Sequence, residues 1–172
     1  MKTSIVLTII ADDQPGVIKK VSETLYTHGG SWTQSSMSSL SGQFAGILLA
    51  SVPADKAHLC LQELHGLEAR GIRVTGHLSD VAPGAEETHE YSLDLVGNNR
   101  EGIVHDITTI LTNHEVNVHN LETIVEGASM GGGELFKATA HLIVPINTDL
   151  DMLESELEDM ANELMVDIRL ER

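Results

Sequence analysis

One cysteine in 172 residues, Cys60, rules out an internal disulfide framework. A chain without such staples suits a reducing compartment, so a cytoplasmic protein is expected. Aromatic residues are scarce as well, at 3%. The 41% of apolar residues must therefore build a core mostly from Val, Ile, Leu, Ala and Met. No window approaches the ~20 apolar residues of a membrane span. The N-terminal run MKTSIVLTIIADDQPG lacks a small-residue cleavage site and ends in two acids and a turn. It reads as a first strand, not as a signal peptide.

Basic residues are the other shortage. There are 10 Lys and Arg against 26 Asp and Glu, a net charge of −16. The deficit is lopsided: residues 1–83 hold 6 basic and 7 acidic residues, and residues 84–172 hold 4 and 19. The two parts thus carry −1 and −15. Phosphate backbones require clustered cations, so direct nucleic-acid binding is not expected. The acidic part suits a basic protein partner or plain solubility.

What the sequence does have is a repeat. Shifted by 86 residues, Asp12-Asp13-Gln14-Pro15-Gly16 lies over Asn98-Asn99-Arg100-Glu101-Gly102. Val17, Ile18, Val21 and Leu25 then lie over Ile103, Val104, Ile107 and Leu111, and His28 over His114. Further on the offset becomes 92, through a longer hairpin in the second copy. Phe44 matches Phe136, Pro53 matches Pro145, and Ile72 and Val74 fall over Leu164 and Val166. The polar stretch DVAPGAEET reads as a connection. The expected organisation is a first unit over 1–80, a linker at 81–87 and a second unit over 88–172.

Within the first copy the apolar period alternates between two and 3.6. Thr3–Ala11 reads as a strand and Pro15–His28 as a helix, with Pro15 at its first position and Asp13 or Gln14 as cap. Two strands, Ser31–Ser39 and Gln43–Val52, meet at a turn on Ser41-Gly42. A helix over Ala54–Arg70 and a strand over Gly71–Leu78 complete the order βαββαβ. The second copy repeats it with strands His89–Gly97, Val116–Glu126, Glu134–Val144 and Leu164–Leu170, and helices Gly102–His114 and Asp149–Glu163. The fold class is α+β, each unit a four-stranded antiparallel sheet with two helices on one face.

A βαββαβ unit with a D-x-x-P-G turn before its first helix resembles the ACT domain. Two such units with little else resemble the glycine cleavage system transcriptional repressor family, on the stretches TIIADDQPGVIKKVSETLYTHGGSW and DLVGNNREGIVHDITTILTNHEVNV. The resemblance implies a ferredoxin-like fold, amino-acid sensing, side-by-side pairing of ACT units and hence homo-oligomers. It also implies action through a DNA-binding transcriptional activator protein. The alternative is an amino-acid-binding regulatory module or subunit of a metabolic enzyme.

The candidate ligand-binding residues are Asp12, Asp13, Pro15 and Gly16 in one turn and Asn98, Asn99, Arg100 and Gly102 in the other. A helix N-terminus offers N–H groups and partial positive charge to a carboxylate. The Asp and Asn oxygens suit an ammonium, so one turn can hold both ends of a small amino acid, glycine first. A plainer reading stands beside this one. Asp and Asn before a helix are ordinary caps, and the glycines serve tight helix–strand packing. Arg100 either grips a carboxylate or pairs with Glu101, and the paired Asp residues make the first turn the less welcoming host.

Other features point to no chemistry. His105, His114 and His119 lack metal-ligand spacing, and His28 and His114 fall at helix C-termini, where they favour the dipole. Gly131-Gly132-Gly133, after Met130, lacks a following Lys-Ser/Thr and reads as a hairpin tip or partner-contact loop. The serines of SWTQSSMSSLSG either line a pocket near Trp32 and Gln34 or face solvent. No nucleophile–base set emerges, and Cys60 lies on an apolar helix face. No catalytic residue, cofactor or metal is expected. The acidic helix Asp149–Glu163 is the candidate partner surface.

Overall fold

The computed structural model describes residues 1–79, 87–129 and 132–172. The chain divides into two compact units, Met1–Gly84 and Ala85–Arg172. The expected linker, apart from Glu87, lies outside the described residues, as do Met130 and Gly131 of the glycine-rich hairpin.

Unit 1 runs β1 (Lys2–Asp12), α1 (Val17–Thr27), β2 (Ser31–Leu40), β3 (Gln43–Pro53), α2 (Ala57–His65), a 3-10 segment (Gly66–Arg70) and β4 (Ile72–Ser79). Unit 2 runs β5 (Thr88–Asn98), α3 (Ile103–Asn113), β6 (Asn117–Gly127), β7 (Glu134–Pro145), α4 (Leu150–Leu164) and β8 (Val166–Glu171). Each sheet is antiparallel, in the orders β2-β3-β1-β4 and β6-β7-β5-β8.

Alternation sets the layers. Ile5, Leu7, Ile9 and Ala11 are buried, while their neighbours in β1 are not. The buried row packs with Val17, Val21 and Leu25 of α1 and Ala57, Cys60 and Leu64 of α2. Each Ile, Leu or Val among them contributes roughly 1.5–3 kcal/mol by leaving water. Tyr91, Leu93 and Leu95 do the same in unit 2, against Ile103, Ile107 and Leu111 of α3 and Leu153, Leu157 and Met160 of α4. Both helices of a unit therefore cover one sheet face and leave the other open.

The duplication extends to local irregularity. Both edge strands slip register at the same place, between Trp32 and Gln34 and between Val118 and Asn120. The expected turn at Ser41-Gly42 has positive φ at both residues, 50° and 81°, as a two-residue hairpin requires.

Three expectations need correction. Ile72 pairs with Ala11, and Val166 pairs with Gly97, so Ile72 matches Val166 at an offset of 94 and Val74 matches Ile168. α4 is a continuous helix of 15 residues, whereas the first copy changes to a 3-10 segment after His65, and the different windings shift the register by two more. For the same reason Ala54–Arg70 is not one helix; Gly66, costly inside a helix, stands at the change. Finally, Pro15 is not the first helical residue. α1 begins at Val17 behind Gly16, whose φ of 96° and ψ of −1° fit the third position of a type II turn, with Pro15 at the second.

Candidate functional site

The two turns have the same architecture. Gly102 precedes α3 with φ 90° and ψ −7°, as Gly16 precedes α1, and Glu101 takes the place of Pro15. That position of a type II turn favours proline without requiring it, so the geometry survives the exchange. Lys20 N–H donates to Gly16 O at 3.0 Å, and Asp106 N–H to Gly102 O at 2.9 Å. Neither helix has a side-chain cap. This corrects the capping reading: at positive φ the glycine turns the preceding Asp or Asn away from the first helical N–H groups. The packing role for Gly16 is corrected as well. A Cβ there would meet nothing within 4 Å, so the glycine answers to φ alone.

The residues before the glycines are tied to the hairpin instead. Asp13 N–H donates to Gly42 O at 2.9 Å, and Asn99 N–H to Glu134 O at 2.8 Å. In unit 1 the Asp13 carboxylate accepts from Ser39 Oγ at 2.6 Å, and that of Asp12 from Gln43 Nε2 at 2.7 Å. In unit 2 Asn99 Nδ2 donates to Glu134 Oε2 at 2.9 Å. Asn98 sits beside Leu135, which offers no donor of the kind Gln43 supplies. Among the described residues no ion pair joins Arg100 to Glu101; both are exposed.

Gln43 and Glu134 were not singled out in the sequence, and Ser39 stood only among the serines of the first edge strand. They lie 26 to 35 residues from their partners, beyond any local spacing rule. Arg73 was also missed. It shares with Asp12, Gln43 and Glu68 a depression of about 230 Å³ at the end of β1, and its Nε lies 3.4 Å from Glu68 Oε1. The depression puts a guanidinium near the acidic turn of unit 1, where the sequence offered only negative charge. Asp167 holds the matching place in unit 2, so that unit has no counterpart.

The remaining features have structural partners. His28 is buried; its Nδ1–H donates to Thr24 O at 2.9 Å, and its Nε2 lies 3.5 Å from Glu63. His114 repeats the arrangement with Glu156 at 3.1 Å and lines a groove of about 490 Å³ at the C-terminal end of α3. Trp32 Nε1 donates to Ser35 Oγ at 3.1 Å, and β2 is an exposed edge strand. A depression of about 380 Å³ between α1 and β2 is lined by Trp32, Tyr26 and Ser22 but not by Gln34. Among the described residues no group of three or more His, Cys, Asp or Glu is placed to hold a metal, and no helix is long and apolar enough to cross a membrane. Burial, with the charge of Glu63 second, pushes the Cys60 thiol up.

Comparison with known proteins agrees with the fold. Residues 3–76 match the family model of the ACT domain. No curated protein matches the chain. A crystal structure of a protein of unknown function from Galdieria sulphuraria superposes with a TM-score of 0.89 at 27% identity, over 99% of this chain and 98% of that one. A candidate glycine cleavage system transcriptional repressor superposes with a TM-score of 0.67 at 17% identity, over 99% and 96% of the two chains. Residues 3–76 thus match the ACT domain, both units share one ferredoxin-like fold, and the whole chain resembles that candidate repressor in architecture.

Proposed function

We propose that the protein is a non-enzymatic, amino-acid-responsive regulator that acts through contact with a DNA-binding transcriptional activator, in the manner of a glycine cleavage system repressor. The observation that carries this reading is the pair of uncapped helix N-termini. Each opens at a positive-φ glycine, and each is held to its hairpin by the same backbone bond. Such an end presents oriented N–H groups to a ligand carboxylate without a competing side chain. Asn98, Asn99, Arg100 and Gly102 hold the small amino acid in unit 2, with Arg100 at the carboxylate and the amides at the ammonium. In unit 1, Asp12, Asp13, Pro15 and Gly16 shape the equivalent turn.

The partner meets the acidic helix α4, whose Glu154, Glu158 and Asp159 are exposed. Ligand binding alters this contact only if the two states differ in affinity for the partner. Calorimetry with glycine, then with other small amino acids, tests the first half. Binding that Arg100→Ala weakens about tenfold supports it, and no heat with any amino acid overturns it. Affinity capture tests the second half. Recovery of an activator, lost when Glu154, Glu158 and Asp159 are changed to Lys, supports contact through α4. Recovery of a metabolic enzyme alone replaces the transcriptional role with regulation of that enzyme.

A further inference from the structure

A group of titratable side chains lies on the open face of the unit 2 sheet, outside the turn already described. β6 slips register between Val118, which pairs with Leu142, and Asn120, which pairs with His141. His119 is the extra residue of that bulge, and a bulge re-aims the side chain it carries. The His119 ring meets that of His141, on the neighbouring strand, edge-on, with centroids 5.5 Å apart and planes at 79°. Ala140 and Leu142 are buried, so His141 between them belongs to the open face. From the far side, on β5, the Glu90 carboxylate lies 3.3 Å from His141 Nε2. Three strands thus bring two imidazoles and a carboxylate into one row. The spacing along the chain hides this row, because its members sit on different strands. The duplication supplies a control. The matching residues of unit 1 are Thr33, Leu49 and Ser4, so the bulge is kept there without an imidazole or a carboxylate.

We infer that His119 and His141 together bind a divalent late first-row transition cation, of the zinc, nickel or copper class. Imidazole nitrogen selects these ions over magnesium and calcium, which take oxygen ligands. The separation fits. Two imidazoles on one tetrahedral ion, at bond lengths of about 2.0–2.1 Å, hold their centroids roughly 5 Å apart. The exposed His119 ring needs only a small rotation to aim its lone pair at the same point as His141. Glu90 has the part of the outer carboxylate. At Nε2 it fixes the ring, raises its basicity and leaves Nδ1 of His141 to the metal. Charge helps as well. The next rung carries Glu122 and Asp94, and Arg169 there is paired with Glu171 at 3.6 Å. Residues 84–172 carry −15, which raises the local concentration of cations. Two imidazoles are fewer than the three-donor groups that are absent among the described residues, so water completes the coordination and the ion exchanges readily. The inference does not depend on the amino acid or the activator proposed above.

Calorimetry of the full chain without an affinity tag, at about pH 7.5 where an ordinary imidazole is neutral, tests it with zinc chloride and nickel chloride. One ion per chain is expected to bind at micromolar concentration, and excess magnesium is expected not to compete. Glu90→Gln should weaken nickel binding about tenfold, and His119→Ala or His141→Ala should weaken it further. His105→Ala, on the exposed face of α3, leaves it unchanged. In nuclear magnetic resonance, the imidazole signals of His119 and His141 should shift together as zinc is added. Circular dichroism checks that each variant is folded, and His141→Gln replaces His141→Ala should the latter fail. No binding at micromolar metal, binding that survives in a folded variant lacking both rings, or zinc shifts at other histidines but not at these two overturns the inference.

Discussion

The imidazole of His114 lies 3.1 Å from the Glu156 carboxylate, and with it the end of α3 is joined to the middle of α4. His28 and Glu63 repeat the link between α1 and α2 at 3.5 Å. Both rings are nearly out of solvent, so each replaces core packing and also satisfies a polar group. His28→Ala leaves a cavity and removes the bond to Thr24 O. It is expected to lower the unfolding free energy by about 2–3 kcal/mol in urea denaturation. Glu63→Gln, at a half-exposed position, should cost under about 1 kcal/mol.

Gly16 and Gly102 both have positive φ; a Cβ would meet nothing within 4 Å at Gly16 and only Asp106 Oδ2, at an ordinary 3.8 Å, at Gly102. Alanine at either site meets no clash, so its cost is backbone strain alone, about 1–2 kcal/mol. Thermal unfolding of Gly16→Ala and Gly102→Ala measures it. A cost near zero would mean that the turn relaxes and that glycine is not needed for its geometry.

Met165 ends α4 at φ 53°, while its counterpart Gly71 takes φ 80° at no steric cost. Met165 is 74% exposed and has little packing to lose. Met165→Gly is expected to stabilise the protein by about 0.5–1 kcal/mol, and the reverse change at Gly71 to destabilise it by a similar amount. Paired denaturation curves check both signs.

The Cys60 thiol is raised by burial first and by Glu63 second. The folded state thus holds the thiol proton more tightly than the unfolded chain does. The stability this provides is present below the unfolded thiol value of about 8.5, and it is lost as pH rises from there through the higher folded value. Native protein at about pH 8 should react with a disulfide reagent at least tenfold more slowly than denatured protein. Equal rates would show that the α2 face opens readily.

Sequence and structure divide the result at a clear line. Residues at short spacing carried the period of the strands and helices, the turn at Ser41-Gly42 and the doubling of the unit, because those signals depend on neighbours and on the backbone preferences of Gly and Pro; the change of winding at Gly66 escaped them. The same local signals placed Pro15 inside a helix and Asp13 at its cap, since the sequence does not display the sign of φ at Gly16. Only the tertiary structure decided that Asp13 answers to Ser39 and Gly42, that Arg73 lies by Asp12, and that His119 meets His141. Those residues meet through sheet register, which alternation and the hairpin turns set jointly across strands far apart in the chain, so no single strand displays which residues will be neighbours.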